Sequence, residues 1–315
     1  MQLSVCILTH SQPELLPKCV ASCFAEMDRS GICGEVIVID NASTDGSPQK
    51  VAQKFPKVRI LRNEKNLGFS AANNRAIRAS TGRYILILND DAILQEGSLD
   101  LMLRTLDADS SLGAVGPKLL NPDGSVQILD TNRRFPGVCS TLSQLIPFHH
   151  LLYKTRITRT ILTDGLDMEV SGETDYVGGA CILARRSALE AVGLFDEGFL
   201  FFFEDTDLCY RLKSAGWGAF YLPVARVTHY GSSTFRQIYK SGKSILYFRS
   251  MTYYFEKHAG LLRRLALRIG VAMALVLRLP VAVVGLLVGR WDLLEAAQLV
   301  KTSLDAARLL LFGWP

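Results

Sequence analysis

Between Leu3 and Asn89, four short apolar runs alternate with three segments whose apolar residues recur at helical spacing. LSVCIL (3–8), EVIVID (35–40), KVRILR (57–62) and RYILILN (83–89) read as strands. ELLPKCVASCFAEM (14–27), PQKVAQKF (48–55) and FSAANNRAIRAS (69–80) read as helices. Near-continuous apolar strands separated by helices predict an α/β domain with a mostly parallel sheet. Such sheets bind ligands beyond the carboxyl ends of their strands. Asp40-Asn41 closes the second strand and Asn89-Asp90-Asp91 the fourth, so both polar clusters are expected on one rim. A carboxylate placed there is fixed by a rigid strand but remains half in water, which costs less than burial in the core.

Beyond Asp91 the pattern is less regular. Residues 99–109 read as a helix, 112–120 as a strand and 121–124 (NPDG) as a turn. Residues 130–174, with Arg133-Arg134 and His149-His150, read as an insert or lid. YVGGACILARR (176–186) reads as a strand in which Gly178-Gly179 permits close backbone approach. EDTDLCYRLKSAG (204–216) is a helix with acids at its start, bases near its end and Gly216 as its stop. GAFYLP (218–223) and ARVTHYG (225–231) finish the domain as short strands or loops. The expected division is a catalytic domain over 1–235 and a tail over 236–315.

Charge separates the same two parts. The net charge is +5, but the tail holds twelve Lys/Arg against four Asp/Glu, a net +8, which leaves −3 for the remainder. An acidic body with a basic, apolar tail does not suit nucleic acid. It suits an anionic membrane surface. The seven cysteines include no CxxC pair, which argues against a zinc ribbon and fits a reducing compartment. MQLSVCILTH lacks the basic start and long apolar run of a secretory signal.

Five places could carry chemistry. Asp90 and Asp91 repel one another, and Mg²⁺ or Mn²⁺ bridging them to a phosphate ligand would relieve this; a solvated turn explains the pair equally well. VIDNASTDGS (38–47) offers Asp40 as an acceptor for a nucleobase N–H, or else a polar turn that caps the next helix. NEKNLGFSAANN (63–74) is a loop entering a helix. In FLFFFEDTDLCYRL (199–212), Asp205 shares a helical face with Leu208, Cys209 and Leu212, whereas Glu204 and Asp207 point elsewhere. Asp205 beside a dry pocket would suit a general base. His229 is a structural histidine or a further metal ligand. Neither G-x-G-x-x-G nor a P-loop occurs.

In this order, VIVIDNASTDGS, NLGFSAANN, LNDDA, VGGACILARRSALEAVGLFDEGFLFFFEDTDLCYRL and VTHYGSS resemble the family 2 inverting glycosyltransferases of GT-A fold, most closely their bacterial rhamnosyltransferase-like branch. The resemblance covers roughly residues 1–235. It implies that Thr9, Asp40 and Asn41 hold the base and ribose of a nucleotide-sugar donor, dTDP- or UDP-linked. It implies that Asn66, Gly68, Phe69 and Asn73 shape the nucleotide pocket, and that Asp90 lies near sugar or ribose. Asp91 and His229 would ligate Mg²⁺ or Mn²⁺, Asp205 would be the catalytic base, and Glu204 would support sugar hydroxyls. Asn89 stands where the family's Asp-x-Asp begins, and Tyr230 separates His229 from Gly231.

The expected reaction moves one sugar to a lipid-linked or cell-surface glycan acceptor. A processive synthase would carry Gln-x-x-Arg-Trp, but Leu287 precedes Arg290-Trp291. In the tail, Arg268, Arg278 and Arg290 interrupt residues 262–291. A helix pair lying in the interface, or a shallow re-entrant hairpin, at the cytoplasmic face of a bacterial inner membrane is therefore expected over a true span. Packing against a second copy or covering the core is the other use of such helices. The rival functions are a sugar-nucleotide pyrophosphorylase and a non-catalytic nucleotide-sugar-binding membrane protein.

Overall fold

The computed structural model describes residues 2–127, 134–143, 167–231 and 245–287, together with 297, 300, 301 and 304. Arg133, His149, His150 and Arg290-Trp291 lie outside the described residues. The chain divides into two compact units, Met1–Phe135 with Asp167–Ser232, and Pro136–Leu166 with Ser233–Pro315.

The first unit runs β1 (Leu3–Thr9), α1 (Leu16–Ser30), β2 (Gly34–Asp40), α2 (Ser47–Lys54), β3 (Arg59–Arg62), α3 (Gly68–Ala79), β4 (Tyr84–Asn89), β5 (Ala92–Leu94), α4 (Ser98–Ala108) and β6 (Leu112–Leu120). The second unit contributes α5 (Val138–Ser143). The first then resumes with β7 (Gly172–Thr174), β8 (Cys181–Arg185), α6 (Arg186–Ala191), α7 (Glu204–Ser214) and β9 (Gly218–His229). The second unit ends with α8 (Ile245–His258) and α9 (Leu261–Leu287).

Among the described residues the strands form one sheet in the order β3-β2-β1-β4-β8-β6-β9-β5, with β7 paired to β9. The pairing is parallel from β3 to β4, as the alternation of strands and helices predicts. The sheet as a whole is mixed rather than mostly parallel, because β8 enters antiparallel between β4 and β6 and β5 returns antiparallel to β9. Side chains alternate between two cores. Val5, Ile7, Val36, Val38, Leu86 and Leu88 pack under α1 and α4, while Cys6, Ile37, Ile39, Ile85 and Ile87 pack under α3, α6 and α7. A sheet buried on both faces explains why its strands read as unbroken apolar runs.

Three elements differ from their expected form. Residues 218–229 make a single strand, although Pro223 divides the apolar pattern. That proline falls at a shift of register against β6, where Pro117 faces Leu222 but Lys118 faces Arg226, and a bulge is a place where a strand tolerates proline. The strand around 176–186 begins only at Cys181, with Gly178-Gly179 left in the preceding turn. Ala92–Leu94 is a three-residue strand too short to register as a pattern.

In the second unit, α9 passes so close to α5 that a β-carbon at Gly270 would lie 2.3 Å from Leu142. Leu267 and Val271 of α9 are buried, whereas Leu262, Leu265, Ile269 and Met273 are 82, 45, 61 and 62 % exposed. Among the described residues no helix is long and apolar enough to cross a membrane.

Candidate active site

Backbone pairing alone gathers the polar strand ends. Thr9 lies opposite Asp40, and Leu8 opposite Asn89. Ala92, one residue past Asp91, pairs with His229, and the Tyr230 N–H donates to the Asp91 carbonyl. The Asn89 N–H donates to the Ala180 carbonyl, which brings Gly178-Gly179 to the same edge. The Gly179 N–H donates to Asp205 Oδ2 at 2.8 Å. One rim therefore holds Thr9, Asp40, Asp90, Asp91, Asp205 and His229.

The imidazole of His229 is buried. Its Nδ1 is 2.8 Å from Gln127 Oε1, and its Nε2 is 3.2 Å from Asp91 Oδ1 and 3.5 Å from Asn89 Nδ2. Neighbouring ligands of a small octahedral cation lie about 3 Å apart when metal–ligand bonds are near 2.1 Å, so the Asp91–His229 spacing suits Mg²⁺ or Mn²⁺. Among the described residues no three His, Cys, Asp or Glu side chains group to hold a metal. Two protein ligands are nevertheless enough for ions that fill their remaining positions with water and phosphate oxygens. The donor set fits such an ion.

The remaining acids differ from one another in environment. Asp90 is buried, and its carboxyl is pushed up to about 7. Burial is the main cause; neighbouring Asp91 adds to it, while the Thr9 hydroxyl and the His10 N–H work against it. Thr9 Oγ1 falls short of full hydrogen-bond geometry but faces the same carboxyl. Glu204 is buried and pushed up to about 8, by burial first and then by the charge of Asp205. Its Oε2 has no hydrogen-bond partner among the described residues.

Helical spacing places Glu204 and Asp207 away from the core and Asp205 toward it; the structure differs. Asp207 is fully buried, Glu204 nearly so, and Asp205 is half-buried at the rim. Arg211, one turn on, reaches Asp207 Oδ2 at 2.7 Å and is itself held by the carbonyls of Val192 and Leu194. A charge paired and hydrogen-bonded in this way can be buried where a lone one could not. Phe202 and Phe203 enter α7 with φ of 68° and 65°, a left-handed turn that apolar spacing does not announce.

The expected nucleotide residues lie at the ends of β1 and β2, in the turn after β3 and in the first turns of α3. Asp40 Oδ1 accepts from the Ser43 N–H at 2.7 Å, and Oδ2 faces Arg62 at 3.6 Å. Asn41 uses its whole amide internally: Oδ1 accepts from Asn63 and the Leu67 N–H, and Nδ2 donates to Asn66 and the Gly68 carbonyl. Asn41 thus holds the loop rather than offering a free amide to a ribose. Gly68 has a φ of 80°, and a β-carbon there would lie 2.9 Å from the Leu200 carbonyl oxygen. Phe69 is buried edge-on against Phe195, and Asn73 is buried with Nδ2 on the Phe69 carbonyl.

Three further residues shape the site. Gln127 sits behind His229. Gly179 supports Asp205. Asn74 ties α3 to the loop before α7 through both the N–H and the carbonyl of Phe195. Only the glycine pair was legible, and only as a close approach without a partner.

Comparison with known proteins gives the family and the fold. The family model described as glycosyl transferase family 2 matches residues 4–193. The chain is 33% identical over 242 residues to an N-acetylglucosaminyl-diphospho-decaprenol L-rhamnosyltransferase of Mycobacterium tuberculosis, covering 72% of this chain and 76% of that protein. It is 30% identical over 172 residues to rhamnosyltransferase WbbL of Escherichia coli K12, covering 52% of this chain and 61% of that one. In fold it is similar to a mannosyltransferase from Pyrobaculum calidifontis solved with GDP-Man and Mn2+, at a TM-score of 0.58, 18% identity, and coverage of 100% and 88% of the two chains.

Proposed function

We propose, from the premise that this chain belongs to glycosyl transferase family 2, that it moves one rhamnose from a dTDP-linked donor to a lipid-linked glycan acceptor, with inversion. The observation that carries the proposal is the shared rim, where Asp205 is fixed by Gly179 close to the strand ends that bear Asp91 and His229. The rhamnosyltransferase relatives support the sugar, and the decaprenol-linked substrate named for one of them supports the acceptor class. A UDP-linked sugar is the other donor class.

In this reading Asp40 Oδ2 accepts a nucleobase N–H. Asn41, Asn66, Gly68, Phe69 and Asn73 hold the shape of the nucleotide loop, while Thr9 and Asp90 face the ribose or sugar. Asp91 and His229 would hold Mg²⁺ or Mn²⁺, which when bound stabilises the leaving diphosphate as a Lewis acid. Asp205 takes the proton of the acceptor hydroxyl as that oxygen bonds to the anomeric carbon and the carbon–oxygen bond to the diphosphate breaks. General-base help of this kind is worth about 10²–10⁴-fold in rate. A single displacement inverts the anomeric centre and needs no enzyme nucleophile. Glu204, kept neutral near pH 7 by its burial, donates a hydrogen bond to a sugar hydroxyl.

The second unit would place this chemistry at an anionic membrane surface. On α9 the exposed Leu262, Leu265, Ile269 and Met273 recur at spacings of three and four, opposite the buried Leu267 and Val271. A helix with an apolar outer face, accompanied by Arg263, Arg264 and Arg268, suits the boundary between headgroups and acyl chains.

The test is a donor panel of dTDP-rhamnose, UDP-glucose, UDP-galactose, UDP-GlcNAc and GDP-mannose with Mg²⁺ or Mn²⁺. Nucleoside diphosphate release is followed with and without polyprenyl-diphosphate-linked GlcNAc. Acceptor-dependent release from dTDP-rhamnose, abolished by EDTA, is expected. Equal release from another donor would reassign the sugar.

A further inference from the structure

We infer that Gln127 is a positioning residue that decides which nitrogen of His229 carries hydrogen, and so presents the other as a metal ligand. The inference deepens the proposed function and rests on the assignment of His229 as a ligand. Gln127 is buried beside the end of β6, where its own N–H donates to the Leu119 carbonyl after the 121–124 turn.

The side-chain amide has only one workable orientation. Gln127 Nε2 lies 2.6 Å from the His229 carbonyl oxygen and 2.8 Å from Asn121 Oδ1. A backbone carbonyl can only accept, so the amide NH₂ must face it. Turning the amide over would set its oxygen against two others. Gln127 Oε1 therefore faces His229 Nδ1, at 2.8 Å, and an oxygen in that place requires hydrogen on Nδ1. In the neutral ring this leaves the lone pair on Nε2.

That lone pair points at Asp91 Oδ1, 3.2 Å away, with the Asn89 NH₂ at 3.5 Å as the weak donor on the same side. In the neutral ring two electron-rich atoms so close repel one another, and a cation held by both, a proton or a metal ion, removes the repulsion. Gln127 thus sets the ring ready for a divalent ion. With the opposite tautomer, a hydrogen would occupy the ligand position. Partners of this kind, behind a metal-ligating histidine, are worth about 10–100-fold in metal affinity.

The test uses the full chain and Mn²⁺ alone. The free ion is followed by its paramagnetic resonance signal, and the His229 tautomer by nitrogen-15 NMR of histidine-labelled protein. Wild type, Gln127→Met, Asn121→Ala and His229→Ala are compared, each checked for an unaltered melting transition. Wild type is expected to carry hydrogen on Nδ1. Gln127→Met is expected to show mixed tautomers and to bind Mn²⁺ about 10–100-fold more weakly. Asn121→Ala removes a hydrogen bond from the same turn but leaves the His229 carbonyl to orient the amide, so its tautomer and affinity should match wild type. A neutral wild-type ring with its hydrogen on Nε2 and none on Nδ1 overturns the inference even if Gln127→Met does not fold. Wild-type affinity in Gln127→Met overturns it while leaving the ligand assignment intact, provided His229→Ala weakens binding. Wild-type affinity in His229→Ala overturns both.

Discussion

The carboxylate of Asp205 is tied to the backbone of Gly179 by a 2.8 Å hydrogen bond, which spans from the start of α7 to the turn before β8. The oxygen that accepts this bond is Oδ2, while Oδ1 takes the Thr206 N–H. Asn at 205 could keep an oxygen on one of these donors, so the fold should survive the substitution. Asp205→Asn should therefore melt like wild type but lose acceptor-dependent turnover by about 10²–10⁴-fold. Rates within a few-fold of wild type would remove Asp205 as the base.

The buried Glu204 ties stability to pH. The folded chain keeps its proton up to about pH 8, whereas the ordinary value is 4.5. Across that window the unfolded state binds fewer protons, so this group makes the fold less stable as pH rises. The contribution is fully present below about pH 4.5 and lost by about pH 8. Glu204→Gln mimics the neutral acid, and its urea midpoint should fall less than that of wild type between pH 5.5 and 8.5. Parallel curves for the two proteins would show that Glu204 is ionised in the fold.

Gly68 occupies a left-handed position with no room for a side chain. Gly68→Ala should cost about 1–3 kcal/mol of stability. Because the obstacle is the Leu200 carbonyl, which also accepts the Phe69 N–H, nucleotide affinity should fall with stability. Denaturant titration and nucleotide calorimetry on the same preparation measure both. An unchanged unfolding midpoint would mean that the loop before α7 yields freely.

The outer face of α9 can be tested without any sugar chemistry. Wild type should co-sediment with phosphatidylglycerol vesicles, less with phosphatidylcholine, and least at high salt. Replacing Leu262 and Ile269 by Glu should release the protein from both. If the double variant binds equally well and instead changes from dimer to monomer in sedimentation velocity, the face meets a second copy rather than lipid.

Legibility in the sequence followed periodicity. The parallel half of the sheet could be read because β1, β2 and β4 are buried on both faces, and β2 and β4 end in polar clusters. Asp40 and Asp91 could be found for the same reason, since a strand end fixes where its last side chain stands. The antiparallel half could not be read this way. β5 has three residues, and β9 hides its continuity behind a proline at a bulge. The inversion of Asp205 and Asp207 on α7 turned on Arg211, four residues along, which makes burial of Asp207 tolerable. Gln127 lay beyond any spacing rule, because its meaning comes from a histidine 102 positions away.

The close approach of α9 to α5 has a practical consequence for dissecting this chain. The stretch around Leu142 leaves the first unit after β6 and belongs with the C-terminal helices, and the backbone then returns to the first unit at Asp167. Cutting the gene after Ser232 would strip Leu142 of the helix that packs on it and leave residues 136–166 without the rest of their unit. Removing the whole second unit takes two cuts, one after Ser232 and one that takes out residues 136–166.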